Sequence, residues 1–294
     1  MNRLHLVDGT FELFRAQFSK RPDHRDPAGR DRKATLGVVQ SLLWLLEETE
    51  EAVTHVAIAF DNPIRSFRND LFPAYKSDEG VPEELRAQFD AVEEAARALG
   101  ITVWSMDRYE ADDALATAAR RFSPEFDQVR ILTPDKDLGQ VLEGERIVQI
   151  DRIRKKLIDE ASFRAARGIA PASMPDWLAL VGDTADGIPG IPGIGEKTAS
   201  ALLARYGHLE AIPADASSWK PLPIRGADAL AATLRERRED ALLYRTLATL
   251  AIDVPLPERR DDLAFRGVPR KRYEAWCDAI GATTMKDRPR RFRD

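Results

Sequence analysis

At 294 residues and 44% apolar composition, the chain is long enough for one large domain, or one and a half, with a real core. No apolar run reaches bilayer length, which argues against a membrane span, and the single cysteine, Cys277, excludes an internal disulfide and any cysteine-based zinc site. The formal charge of −5 does not advertise a polyanion binder, but carboxylates destined for a metal count as negative in that sum, and a local basic surface is compatible with it. The N-terminus leads from a strand-like run straight to Asp8 with no signal-peptide anatomy, so a cytoplasmic location is expected.

In chain order, Leu4–Val7, His55–Phe60, Val129–Thr133 and Ile147–Ile150 read as buried parallel strands. Helical patterns lie between them around Thr35–Glu48, Pro82–Leu99 and Asp112–Phe122. The alternation predicts an α/β fold over residues 1–160, with a wound, mostly parallel central sheet and flanking helices. Residues 19–34 read as a mobile loop. Beyond 160 the pattern changes to short helices and turns. Residues 188–195 are too rich in Gly and Pro for helix or strand, and helices are expected from Glu196 to Tyr206, over Asp228–Leu247 and around Arg270–Ile280. This makes 161–285 a helical region, followed by a basic tail, 286–294, that reads as disordered.

Ligands of wound sheets gather beyond the carboxyl ends of the strands. Asp8 and Asp61 follow the first two strands, and Asp135 and Asp137 follow the third. Glu110, Asp112 and Asp113 open a helix, and Asp183 and Asp186 stand three apart before Gly187. Each group has a bland alternative: helix capping for the triplet, turn chemistry for the others. Acids at this density need a compensating cation, and a hard divalent pair suits them, with phosphodiester hydrolysis as the natural chemistry.

The run Gly190-Ile191-Pro192-Gly193-Ile194-Gly195-Glu196-Lys197-Thr198 resembles a helix-hairpin-helix phosphate cradle spanning 188–206. Its glycines let backbone N–H groups approach a phosphate, and the following helix adds a favourable dipole. Arg65, Arg68, Tyr75 and Lys76 suggest a basic and aromatic gateway for a single strand, against the alternative of a solvated helix face. Lys136 stands close enough to Asp135 and Asp137 to meet a phosphate. The four histidines lack ligand spacing.

Together, Leu6-Val7-Asp8-Gly9, Phe60-Asp61, Ser66-Phe67-Arg68, Tyr75-Lys76, Glu110-Ala111-Asp112-Asp113, Thr133-Pro134-Asp135-Lys136-Asp137 and Gly182-Asp183 through Ala199 resemble the bacterial 5′-nuclease family. This family includes the 5′→3′ exonuclease domain of DNA polymerase I, stand-alone exonucleases and flap endonucleases. The resemblance covers residues 4–256, and a stand-alone form with a PIN-like core is expected from it. It implies that Asp8, Asp61, Glu110, Asp112, Asp113, Asp135, Asp137, Asp183 and Asp186 hold two or more Mg²⁺ or Mn²⁺ ions. Lys76 and Arg68, in a helical gateway around 65–86, would contact the scissile phosphate region. Gly190, Gly193, Gly195, Lys197 and Thr198 would hold duplex DNA, with K⁺ at the same element. The implied activity is hydrolysis of DNA at 5′ ends, nicks and flaps, and of RNA primers on DNA, by a nucleoid-associated monomer cooperating with a DNA polymerase.

Two departures stand out. Glu79 occupies a position where the family commonly has Arg, with Arg86 as a substitute a helical turn or so onward, and Gly187 replaces the usual Asn. The alternatives are a DNA-junction binding protein with a vestigial site, and a PIN-like ribonuclease. The filled set of nine acids argues against the first, and the Gly-rich cradle against the second.

Overall fold

The computed structural model describes residues 2–294. In chain order the elements are β1 (Arg3–Asp8), α1 (Gly9–Gln17), α2 (Lys33–Glu47), β2 (His55–Asp61), α3 (Arg68–Leu71), α4 (Glu83–Arg86), α5 (Phe89–Ala98), β3 (Thr102–Met106), α6 (Ala111–Phe122), β4 (Gln128–Leu132), β5 (Ile147–Asp151) and β6 (Lys156–Ile158). Then come α7 (Glu160–Arg167), α8 (Met174–Val181), α9 (Glu196–Tyr206), α10 (Ala227–Glu236), α11 (Arg238–Ala248), β7 (Val268–Pro269), α12 (Arg270–Ile280) and β8 (Phe292–Arg293). Backbone contacts divide the chain into two units that interleave in sequence. The first comprises Met1–Arg65, Asp78–Thr133 and Ile252–Asp294; the second comprises Ser66–Ser77 and Pro134–Ala251.

In the first unit β3, β2, β1 and β4 lie side by side, all parallel. Every residue of β2 is buried, so both sheet faces are covered, which explains the continuous apolar runs. Helix α6 packs along all four strands, and α5 covers β2 and β3. The turn from β1 into α1 lies against β2, and a Cβ on Gly9 would sit 2.5 Å from the Phe60 ring and 2.6 Å from the Ala59 carbonyl oxygen. Only glycine allows that approach.

The second unit holds the antiparallel hairpin β5–β6 and a helical body in which α8 packs against α9 and α11. Its core includes Trp177, Leu178, Ile191, Ile194, Leu202 and Trp219. No helix among the described residues is long and apolar enough to cross a membrane.

Several expectations need correction. Strands β3 and β6 and helix α1 were not foreseen, and β6 runs antiparallel to β5. The expected helix 82–99 divides into α4 and α5, because Gln88 between them turns its carboxamide inward to accept from the Thr35 N–H (3.0 Å) and hydroxyl (3.1 Å) at the start of α2. The helix expected over 228–247 breaks at Arg237 into α10 and α11. Residues 19–34 are not a loose loop. Buried Asp26 accepts from the backbone N–H of Ala28 and Arg30 (both 3.0 Å) and pairs with Arg30 and Arg32, and His24 bonds the Ile280 carbonyl at 2.8 Å. Nor is the tail structureless: β8 pairs with β7, and the Arg270 guanidinium lies 3.8 Å from the Phe292 ring centre.

Candidate metal and phosphate site

The acids of the first unit cap helices at the carboxyl ends of the strands. Asp8 ends β1, buried, and caps α1 by accepting from the Phe11 N–H at 2.8 Å. Its other oxygen accepts from the Thr133 hydroxyl at 2.8 Å, since Val7 pairs with Leu132 and so brings Thr133 level with Asp8. Asp61 ends β2 and accepts from the Ala111 N–H at 2.7 Å, joining the strand to the first turn of α6. Glu110 stands at the N-cap of α6, and Asp113 reaches back to accept from its N–H at 2.9 Å. Asp112 is half-buried in the same turn. Capping of this kind, favoured by the helix dipole, also fixes where the carboxylates lie.

The second unit brings Asp137, Asp183 and Asp186 together, each offering an oxygen within 4.8 Å of the others. Asp137 opens a 3₁₀ turn, and its N–H donates to Asp135 Oδ1 at 2.9 Å. Asp183 and Ile188 exchange both backbone hydrogen bonds at 2.8 Å, closing a tight loop that carries Asp186 and Gly187. Asp135 itself is exposed, and its carbonyl accepts from the Gln149 side chain on β5. Lys136 pairs with Asp183 and lies 3.7 Å from Asp137.

Burial raises the pKa of Asp137 well above the usual carboxylate range, reinforced by Asp135, opposed by Lys136 and reinforced again by Asp186 and Asp183. Burial alone would lower that of Lys136, but Asp137, Asp183 and Asp135 outweigh it and hold the ammonium above its ordinary value. Asp137 Oδ1 is buried with no hydrogen-bond partner among the described residues. A buried, oxygen-only donor set with one orphaned oxygen fits a hard divalent cation.

The segment 66–77 is fastened to this loop. The Lys76 N–H donates to the Asp186 carbonyl at 3.0 Å, and Asn69 donates to the carbonyls of Tyr75 (3.2 Å) and Lys76 (2.9 Å). Gly187 adopts φ 71°, and a Cβ there would lie 2.4 Å from the Ala74 carbonyl oxygen. Glycine at this position therefore matches close backbone packing, a role that only the neighbouring segment reveals.

Arg68 and Tyr75, expected at a gateway, lie in the interior instead. The Arg68 guanidinium donates to the carbonyls of Leu247 (2.7 Å) and Thr249 (2.9 Å) at the end of α11, a favourable place for a cation. Tyr75 belongs to the core. Arg65 is exposed and Lys76 half-buried. Asn69 was missed in the sequence, as was Gln140, which bonds the Ala248 carbonyl at 3.1 Å and the Leu250 N–H at 3.0 Å. Neither has a local motif to announce it.

In the Gly-rich run, Gly190 and Gly193 take φ 73° and 83°, and Gly195 caps α9. Lys197 is exposed and Thr198 half-buried on the first turn of that helix. A groove of about 500 Å³ opens between Pro189–Gly195 and Arg237, Asp240 and Tyr244 of the α10–α11 region.

Residues 3–168 match the family described as 5′-3′ exonuclease, N-terminal resolvase-like domain, and residues 169–271 match 5′-3′ exonuclease, C-terminal SAM fold. DNA polymerase I of Pseudomonas aeruginosa is 37% identical over 270 residues, covering 91% of this chain and 29% of that protein. DNA polymerase I of Bacillus caldotenax is 34% identical, covering 95% of this chain and 31% of that protein. The chain thus spans about three tenths of the length of these curated relatives. Among solved structures, T5 5′-exonuclease with bound zinc is similar at a TM-score of 0.66 and 17% identity, covering 95% of this chain and 100% of the other. The catalytic core of Rad2 in complex with DNA substrate is similar at 0.61 and 14%, covering 97% and 90%. At these identities the structural likeness is one of fold.

Proposed function

Because the chain belongs to the 5′-3′ exonuclease family, we propose that it hydrolyses DNA phosphodiesters at 5′ ends and at the base of 5′ flaps, using divalent cations. The observation that carries this reading is the convergence of Asp137, Asp183 and Asp186 around an orphaned buried oxygen. Zinc bound to T5 5′-exonuclease and the DNA complex of the Rad2 catalytic core, both proteins of similar fold, support it at the level of fold.

Asp135, Asp137, Asp183 and Asp186 would hold Mg²⁺ or Mn²⁺, and Asp8, Asp61, Glu110, Asp112 and Asp113 are proposed as further ligands, for two ions in all. Bound cations supply Lewis-acid polarisation of the phosphate and acidify water. Lys76, tethered by its backbone to Asp186, and exposed Arg65 neutralise phosphate charge. Lys136 is held by Asp183 and offsets part of the acid cluster, which keeps these carboxylates from repelling one another apart. Arg68 acts as a positioning residue that anchors the start of the 66–77 segment to the end of α11. The Gly190–Thr198 element grips duplex phosphates through backbone N–H groups, with K⁺ among its ligands, and reads no bases. RNA primers on DNA are further substrates, and a DNA polymerase is the natural partner in replication and repair.

The test is cleavage of a 5′-labelled flap duplex with Mg²⁺ or Mn²⁺, with Asp135→Asn as control. Metal-dependent release of a 5′ fragment, lost in the variant while DNA binding persists, is expected. Binding without any product, in either metal, would establish a junction-binding protein instead.

A further inference from the structure

The loop Arg152–Lys155 between β5 and β6, with Lys156 at the start of β6, places four cations in five consecutive positions. Arg154, Lys155 and Lys156 are exposed, as are the apolar side chains of Ile153 (60%) and Leu157 (45%). The loop is held in shape by buried Asp151, which accepts from the N–H of Ile153 (3.0 Å) and of Arg154 (2.9 Å) and from the Arg154 guanidinium (2.9 Å). Neither Lys155 nor Lys156 has an ion-pair partner among the described residues.

Lys155 adopts φ 52°, the left-handed region. A side chain there crowds the following carbonyl oxygen, a cost that glycine would avoid. A strained, unpaired lysine at a hairpin tip is a poor choice for stability, and such outliers point to a use for the side chain.

The root of the hairpin locates that use. Gln149 lies two residues before Asp151 on β5, and its side chain donates to the Asp135 carbonyl. Two strand residues span about 7 Å. The loop cations, with their own side-chain length, therefore sweep roughly 10–20 Å from the Asp135 loop, a few phosphates along one DNA strand.

We infer that the hairpin Arg152–Lys156 is a phosphate-gripping arm that holds nucleic-acid backbone a few nucleotides from the scissile bond, without reading sequence. Ile153 and Leu157 add apolar contact to the sugars. The inference rests on the nuclease reading above. Preorganisation by Asp151 reduces the entropy lost on binding, which suits a device that works by charge.

Two variants of the full chain test it, Lys155→Gln/Lys156→Gln and Lys155→Gly. Binding of a 5′-flap duplex is followed by fluorescence anisotropy in EDTA across 50–200 mM KCl, alongside single-turnover cleavage at saturating enzyme. The double variant should lower the log–log salt slope by about 1–2 and weaken binding about tenfold at 50 mM, with the saturated cleavage rate unchanged. Lys155→Gly should melt at a higher temperature than the parent yet bind DNA more weakly, a combination that a purely structural role for Lys155 does not produce. An unchanged slope and affinity in both variants, with the parent binding DNA, overturns the arm and leaves the nuclease reading intact. The same holds if the double variant keeps its DNA affinity but no longer sediments with anionic lipid vesicles that capture the parent. A parent that neither binds nor cleaves the flap removes both.

Discussion

Replacing Asp137 by asparagine should stabilise the metal-free protein while destroying its response to metal. At an effective dielectric near 20, like charges 4.8 Å apart repel by about 3.5 kcal/mol, and opposite charges 3.7 Å apart attract by about 4.5 kcal/mol. Asp137 faces Asp183 and Asp186 within the first distance and Lys136 at the second. The balance of these three is about 2–3 kcal/mol of net repulsion, before the further repulsion from Asp135 and the effect of burial are counted. Asp137→Asn removes that charge with little change in shape, so a gain of about 2 kcal/mol is expected, or roughly 4–8 °C in melting temperature for a chain of this size. The pH dependence has a definite sign. The folded, metal-free protein binds the Asp137 proton more tightly than the unfolded chain, whose aspartate titrates near 3.8. This residue's contribution to stability therefore falls as pH rises from 3.8 through the raised folded pKa. The gap between variant and parent should be small near pH 4 and widen toward neutrality. Thermal melts in EDTA, and again with Mg²⁺ or Mn²⁺, measure both effects: metal should raise the parent's midpoint by selective binding to the native state and leave the variant's nearly unmoved. A variant that melts at or below the parent in EDTA at pH 7 would falsify the electrostatic account of the cluster.

Two further outcomes follow from the same geometry. In the first unit Glu51 is largely buried, and although burial works against its charge, bonds from His5 (2.9 Å) and Arg130 (2.7 Å) bring its pKa down from 4.5 to about 2. Its stabilisation is present above pH 4.5 and is lost as pH falls toward 2, so Glu51→Gln should cost up to about 3 kcal/mol in urea unfolding at pH 7 and far less at pH 3; an equal cost at both would refute the pairing. Gly187→Asn restores the family's usual residue but drives a Cβ to 2.4 Å from the Ala74 carbonyl. It should lower the melting temperature and slow flap cleavage by displacing the segment that carries Lys76, and a fully active, equally stable variant would show that this packing is not tight.

The sheet was legible because β2 is buried along its whole length and β1 nearly so, while β4 carries buried Val129, Ile131 and Leu132 around the half-buried Arg130. Strand β3 escaped because Thr102–Met106 is only partly buried and follows a helix end closely. The break at Arg237 carries no Gly or Pro, so no local signal marks it. The basic tail read as disordered from composition alone, yet Phe292 gives it a strand partner and a cation to sit against. In the site, spacing singled out Asp137, Asp183 and Asp186 as candidates but not their convergence, which depends on the closed Asp183–Ile188 loop. Charge pattern suggested Arg68 for a gateway; its partners include two main-chain carbonyls some 180 residues later that carry no sequence signature.

That separation bears on how the chain acquires its structure as it is synthesised. Arg68 leaves the ribosome with two of its hydrogen-bond partners, Leu247 and Thr249, still 179 and 181 residues away. At about 5–20 residues per second, the segment that later holds Lys76 against the acid loop waits on the order of 9–36 s for its anchor. During that interval an apolar stretch including Phe72 and Tyr75 has no core to enter, since the helices that bury it have yet to be made. A nascent chain stalled before residue 247 should therefore be most vulnerable to protease around residues 66–77, and pulse proteolysis of arrested chains of increasing length would show protection there only after α11 has emerged.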